Sequence, residues 1–290
     1  MAFLYRRYVP VLLLLLAAPF ALYFGVILRR VPSRATARPT LRVTVLNVGT
    51  GEAALIRTPG GATILIGTGS SESGETVAQV LQNAGVKRVD LLVLPYPYAE
   101  AIGGVPAIYE TFEVLSVLEG NGNVSNPYLE NARRLGREYQ TDWRMVQSGD
   151  RLAFPDNVSV EILAPSLPSG NRSPTDNSLV VAVRYGETRF LFAGGLAKNG
   201  ERALLAATPA LAADFLRAAR FGNPGASSPE FLRLVNPEFV AVSVGPNGDG
   251  FPAPETLARL RDTGATILRT DDNGGQSPTF MSDGRTVKQE

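Results

Sequence analysis

The sequence predicts an α/β domain with paired strands, preceded by one transmembrane helix. Three observations carry that reading. From Leu41 onward, runs of strand-like and helix-like periodicity alternate along the chain. Two short apolar runs, Ala53–Arg57 and Thr63–Ile66, flank a Pro59-Gly60-Gly61 turn, the pattern of adjacent strands joined by a tight connection. Before them, Val9 to Leu28 runs 20 residues without a charge, about the length that crosses a bilayer core as a helix.

The elements follow in order. Residues 1–30 read as a membrane anchor, with arginines at both ends and Tyr5, Tyr8 and Tyr23 as interfacial aromatics. A cleaved signal peptide is the rival, supported by Ala35-Thr36-Ala37; the long apolar run, followed directly by Arg29-Arg30, favours the anchor. Residues 31–40 form a linker, and 41–290 the globular domain. Within it, strands are expected at Leu41–Leu46, Ala53–Arg57, Thr63–Ile66, Val89–Leu94, Val158–Leu163, Leu179–Arg184, Thr188–Phe192, Phe239–Val244 and Thr266–Arg269. Helices are expected at Glu75–Asn83, Gly104–Thr111, Pro127–Gln140, Leu196–Ala206, Pro229–Leu234 and Pro254–Asp262. The stretches 120–127 and 165–177 are rich in Gly, Asn, Pro and Ser and read as loops.

Composition excludes several chemistries. The 290 residues contain neither cysteine nor histidine. That removes thiolate metal sites, a cysteine nucleophile, a Ser-His-Asp triad and any imidazole-based zinc site. The net charge of +1 is unevenly placed: residues 1–38 carry six arginines and no acids, whereas 39–290 carry 22 basic and 27 acidic residues, a net of −5. A mildly acidic domain lacks the electrostatic footprint of a nucleic-acid binder.

The stretch LRVTVLNVGTGEAALIRTPGGATILIGTGS (Leu41–Ser70) resembles the opening of the metallo-β-lactamase-like domain of competence-type (ComEC-like) DNA-uptake proteins, which read L-x-V-x-x-L-D-V-G-Q-G-D-A-x-L-I…I-L-I-D-T-G. The likeness continues through Leu91–Gly104, Asn177–Gly195, Phe215–Glu230 and Asn236–Gly275. It implies a four-layer αββα sandwich with its active site at one edge of the sheets, where loops deliver the ligands of a dinuclear metal pair that activates water. The family supplies those ligands from T-H-x-H-x-D-H-x-G-G, F-T-G-D and P-H-H-G-S segments.

Here the corresponding positions have changed. The resemblance places Tyr96, Tyr98 and Ala101 where the family has histidines, and Glu100 at the ligand aspartate. Gly195 stands for the bridging aspartate, Arg220 and Phe221 for the paired histidines of the third loop, and Phe251 for the histidine of a G-H-P. Supporting positions differ too: Asn47, Glu52 and Gly67 replace aspartates. Ligands and the groups that orient them act together, so this set is expected to hold no metal and no other cofactor. A magnesium site from Tyr96, Tyr98 and Glu100 would have one carboxylate and two weakly acidic phenols, a poor donor set. The four aromatics are read as a plug in the old cavity rather than a new ligand pocket. Glu100 and Arg220 are read either as a pair replacing the metal's charge or as two solvated charges. Gly49-Thr50-Gly51 and Gly67-Thr68-Gly69 lack the spacing of phosphate-binding loops and read as turns.

The expectation is a bacterial, membrane-anchored pseudoenzyme acting as a structural or accessory subunit of a membrane protein complex, touching lipid through its N-terminal helix and a protein partner through its domain. Alternatives are a metal-dependent hydrolase of phosphoester or nucleic-acid substrates, or a DNA-uptake accessory protein. The arginines after the span favour a cytoplasmic domain by the positive-inside rule. The resemblance implies the extracytoplasmic (periplasmic) side, and the domain is expected there.

Overall fold

The computed structural model describes residues 39–120, 126–166, 173–208, 210–272 and 274–290. The expected membrane helix at Val9–Leu28, most of the linker and parts of the two Gly/Asn/Ser-rich loops lie outside the described residues. No helix among the described residues is long and apolar enough to cross a membrane.

The first half of the chain gives β1 (Leu41–Val45), β2 (Ala54–Arg57), β3 (Thr63–Ile66), helix α1 (Gly74–Asn83), β4 (Arg88–Val89), β5 (Leu91–Leu94), the single-turn α2 (Ala99–Ile102), α3 (Val105–Thr111), β6 (Glu113–Val114), β7 (Ser116–Gly120), α4 (Pro127–Glu138) and β8 (Asp142–Val146). The second half gives β9 (Arg151–Ala153), β10 (Val158–Ala164), β11 (Val180–Tyr185), β12 (Thr188–Phe192), α5 (Lys198–Ala207), β13 (Phe215–Arg217), α6 (Pro229–Val235), β14 (Phe239–Val242), α7 (Pro254–Arg261) and β15 (Thr266–Arg269). Strands β16 (Thr279–Ser282) and β17 (Val287–Gln289) follow.

Two sheets result. One runs β17-β16-β1-β2-β3-β5-β7-β8 and the other β15-β14-β13-β12-β11-β10-β9, while β4 and β6 form a small parallel pair. The C-terminal strands return to the first sheet, where β16 pairs antiparallel with β1. The Thr188 and Ser282 hydroxyls, 2.7 Å apart, tie the second sheet to the first.

Strand alternation explains the layering. Leu91 and Val93 of β5 join Val43, Ile56, Val160, Phe190 and Phe215 in the core between the sheets. Their neighbours Leu92 and Leu94 point the other way, under Val77, Leu81, Ile108 and Leu135 of the helices covering the first sheet. The second sheet repeats the arrangement, with Leu191, Leu216 and Val240 packed under Leu204, Phe231 and Leu260 of α5, α6 and α7. This is an αββα sandwich, and strands buried on both faces account for continuous apolar runs such as LLVL and TILI. Local signals start the helices. The Asn126 side chain accepts from Leu129 N at 3.0 Å and Ser228 from Phe231 N at 3.3 Å, each followed by proline in the first turn.

Candidate functional site: a buried ion pair at the sheet edge

The loops at one edge of the sandwich are stitched together through their backbones. Glu52 N donates to Glu100 O at 2.8 Å, Gly69 N to Glu52 O at 2.9 Å, and Thr68 N to Ala101 O at 2.8 Å. Leu179 N donates to Pro95 O at 2.8 Å, and Arg220 N to Gly194 O at 3.3 Å. These contacts join the loops after β1, β3 and β5 to the segment before β11, and the loop after β12 to that after β13; Gly195 N, donating to Ser178 Oγ at 3.0 Å, links the two groups.

A fully buried ion pair lies in their midst. Arg217 closes β13 and Glu52 closes the loop before β2; each side chain is 2% exposed, and Arg217 Nη1 lies 3.0 Å from Glu52 Oε1. The buried Tyr96 hydroxyl faces the same carboxylate. None of these approaches is well aligned: both Glu52 oxygens, both terminal nitrogens of Arg217 and the Tyr96 hydroxyl lack an in-line hydrogen-bond partner. The Arg217 guanidinium also sits over the Phe221 ring, 5.9 Å from its centroid, a cation–π contact. Burial raises the Glu52 pKa above its ordinary 4.5, against the opposing pull of Arg217. Burial, reinforced by Glu52, lifts the Tyr96 phenol well above its ordinary range.

The positions singled out from the sequence ring this pair. Tyr96, Ala101, Gly195 and Phe221 are buried, Glu100, Arg220 and Phe251 half-buried, and Tyr98 partly exposed. The aromatics form two couples, Tyr96 with Tyr98 (centroids 6.2 Å) and Phe221 with Phe251 (6.5 Å); Tyr96 faces Glu52 and Phe221 lies under the Arg217 guanidinium. Glu100 and Arg220 both act electrostatically on Tyr96, but no ion pair joins them among the described residues. The pair that does form is Glu52 with Arg217. Asn47 serves as a strut to the C-terminal loop: its N–H donates to Ser277 Oγ at 3.0 Å and its amide to Gly275 O at 3.2 Å.

Two glycines show how closely the replacements fit each other. A Cβ on Gly195 would stand 3.0 Å from the Tyr96 ring and 2.9 Å from Ser178 Oγ, which accepts from Gly195 N. A Cβ on Gly67 (φ +73°) would stand 2.2 Å from Glu52 O. The third loop is unusual in its backbone. Arg220 (φ 47°) and Phe221 (φ 59°) are consecutive left-handed residues, followed by Gly222 at φ 77°. Arg259 latches the segment beyond, donating to Ser227 O, Pro224 O and Ala226 O at 2.9 Å each.

The cavity beside Tyr96, walled by Leu94, Pro97, Ile102 and Leu129, measures about 30 Å³, room for a single water. A dinuclear metal pair does not fit these residues. The carboxylate at the centre already faces a guanidinium, the phenol beside it strongly resists ionisation, and a cation next to Arg217 would meet like charge. Among the described residues no three Asp or Glu side chains converge as a metal cluster.

The two facing sheets, their helical covers and the loop cluster at one edge define a metallo-β-lactamase fold. Its solved neighbours include the metallo-β-lactamase fold protein YhfI from Bacillus subtilis (TM-score 0.53, 10% identity, 79% of this chain and 95% of that one). They also include zinc-bound PqqB from Methylobacterium extorquens (0.52, 10%, 82% and 99%) and the diiron β-hydroxylase CmlA from Streptomyces venezuelae (0.52, 15%, 81% and 53%). At these identities the likeness concerns the fold alone. No family model matches the chain. By sequence it is a homologue of competence proteins. It is 28% identical over 191 residues to ComE operon protein 3 of Bacillus subtilis, covering 66% of this chain and 24% of that protein. It is 29% identical over 235 residues to competence protein ComA of Neisseria gonorrhoeae, covering 80% and 31%. The chain thus spans about a quarter to a third of the length of these relatives.

Proposed function

We propose that this is a catalytically silent metallo-β-lactamase-fold protein, held at a bacterial membrane, that serves as a structural or accessory subunit of a membrane complex related to competence-type DNA uptake. One observation carries the reading: a buried Arg217–Glu52 pair, ringed by Tyr96, Gly195 and Phe221, stands at the place the resemblance assigns to the metals. An internal guanidinium supplies positive charge there, but it activates no water and leaves no open coordination position. The homology to competence proteins supports the setting. The anchor rests on the uncharged run from Val9 to Leu28, and the extracytoplasmic side on the resemblance.

The test is metal content and turnover of the full chain, extracted in mild detergent without added metal. The expected outcome is zinc, iron and manganese well below one equivalent, and no metal-stimulated hydrolysis of bis(p-nitrophenyl) phosphate. Near-stoichiometric metal, or turnover restored by metal, overturns the proposal. Gentle extraction followed by sizing should also show a stoichiometric protein partner; a stable one would bury at least about 1,000 Å² in the contact.

A further inference from the structure

The open edge of the first sheet carries a groove that the chemistry above does not use. Strand β8 is the last strand of that sheet. Asp142 N donates back to Leu115 O, on the β7 side, at 3.0 Å. By strand alternation, the backbone N–H and C=O groups of Trp143 and Met145 therefore point away from β7, to the open side. The side chains of the same two residues line a groove of about 440 Å³ against α4. Gly136 makes room for the indole: a Cβ there would lie 2.5 Å from the Trp143 ring. Trp143 Nε1 donates to Glu119 at 2.9 Å, and Arg133 holds the same carboxylate. Met145 is 48% exposed, unusual for so large an apolar side chain. Arg137, on the helical rim, is exposed and enters no ion pair among the described residues.

Unpaired strand backbone, an apolar floor and a free guanidinium at the rim are the components of strand addition with charge selection. Building on the accessory-subunit reading, we propose that β8 accepts an extended acidic segment of a partner protein as a further strand. Its apolar side chains would rest on Trp143 and Met145, and a carboxylate would meet Arg137. Two other occupants fit less well. The chain's own first 38 residues carry six arginines and no acids, the wrong sign for Arg137. A second copy paired antiparallel about the midpoint of β8 would set Arg144 against Arg144, and like charges directly opposite are destabilising.

Trp143 is the only tryptophan in the chain, so its fluorescence reports this groove alone. The full chain in detergent is titrated with peptides of about eight residues that place Val or Phe and Glu on the same face, at i, i+2 and i+4, and with matched peptides carrying Lys in place of Glu. The expected result is a saturable spectral change with the acidic set only. Arg137→Glu, on an exposed face, should weaken the acidic peptides about tenfold and admit the basic ones. Met145→Pro, which removes an outward N–H, should abolish the response. No saturable change, an equal response to both signs, or a change that tracks protein concentration without peptide overturns the proposal. Metal content is read on a separate aliquot. A silent groove in a metal-free protein sinks this inference alone, whereas bound metal sinks the functional reading whatever the groove does.

Discussion

Replacing Arg217 by methionine separates a structural ion pair from an incidental one. The substitution keeps an unbranched apolar stem of similar length against Phe221 and removes only the guanidinium. It leaves Glu52, 1% exposed, with no counter-charge. Removing one partner of a buried pair costs about 3–5 kcal/mol, because the remaining charge stays desolvated. At roughly 2–4 °C per kcal/mol for a domain of this size, the melting temperature should fall by about 6–20 °C. The double variant Glu52→Gln/Arg217→Met removes both charges, so most of the loss should return, with a coupling energy of about 2–3 kcal/mol between the sites. Thermal unfolding of the full chain in detergent, followed by circular dichroism, gives all four corners of the cycle. If Arg217→Met shifts the midpoint by less than about 2 °C, or the double variant falls as far as the single, the pair does not hold this site together.

Three further outcomes follow from the same geometry. Gly195→Asp should destabilise by about 1–3 kcal/mol, because its Cβ meets the Tyr96 ring at 3.0 Å; adding Tyr96→His should relieve part of that loss, and neither variant should show metal-dependent phosphodiesterase activity. Because burial raises the Glu52 pKa, the folded chain still holds a proton between pH 4.5 and the raised value, a window in which the unfolded chain has released it; above that window Glu52 is the anion that pairs with Arg217. Stability from this group should therefore be full below pH 4.5 and decline as pH rises through the raised value; a melting temperature whose pH slope matches that of Glu52→Gln/Arg217→Met would refute the assignment. Arg220→Gly removes a side chain from a left-handed residue at φ 47° and should raise the melting temperature by about 2–4 °C, the equivalent of roughly 1 kcal/mol; an unchanged or lower midpoint would mean that the Arg220 side chain repays its backbone.

The fold was legible where local signals and burial agreed. Helices beginning Pro127, Pro229 and Pro254 start where proline at the first position predicts, and the apolar runs at Thr63–Ile66 and Thr188–Phe192 are strands at those bounds. Among the strands not expected from the sequence, β7 and β13 are short interior strands, buried but too brief for a periodicity to show, whereas β8 and β9 lack an apolar pattern of their own. In β8 (DWRMV) only Val146 is buried, and in β9 only Leu152 lies half-buried between exposed neighbours; both are sheet-edge strands held by their partners. At the site, the changed positions were legible only through the resemblance. Arg217 was missed because it stands at no position where the family places a ligand. A signal was present in DFLRAARFG: an arginine flanked by apolar residues on a strand too short to leave the core. Charge pairing could not be read at that distance in sequence, since Glu52 and Arg217 meet only once the two sheets face each other.

The residues at the positions of the family's ligands depend on one another, which bears on whether single substitutions toward the family pattern could build a metal site. Tyr96 occupies space that a side chain at position 195 would claim, and Gly195 is what permits it. Gly67, at φ +73°, lets the Glu52 carbonyl approach and accept from Gly69 N at 2.9 Å; an aspartate there would meet that carbonyl at 2.2 Å. Glu52 in turn has Arg217 as its counter-charge in the core. Each change is thus buffered by another on a different loop, and the loops themselves are hydrogen-bonded together. On the catalytically silent reading proposed above, restoring an aspartate at position 195 alone introduces a clash with Tyr96 before a metal could offset it. Regaining a metal site therefore requires coordinated change on at least three loops, and single substitutions toward the family pattern should lower stability without restoring chemistry.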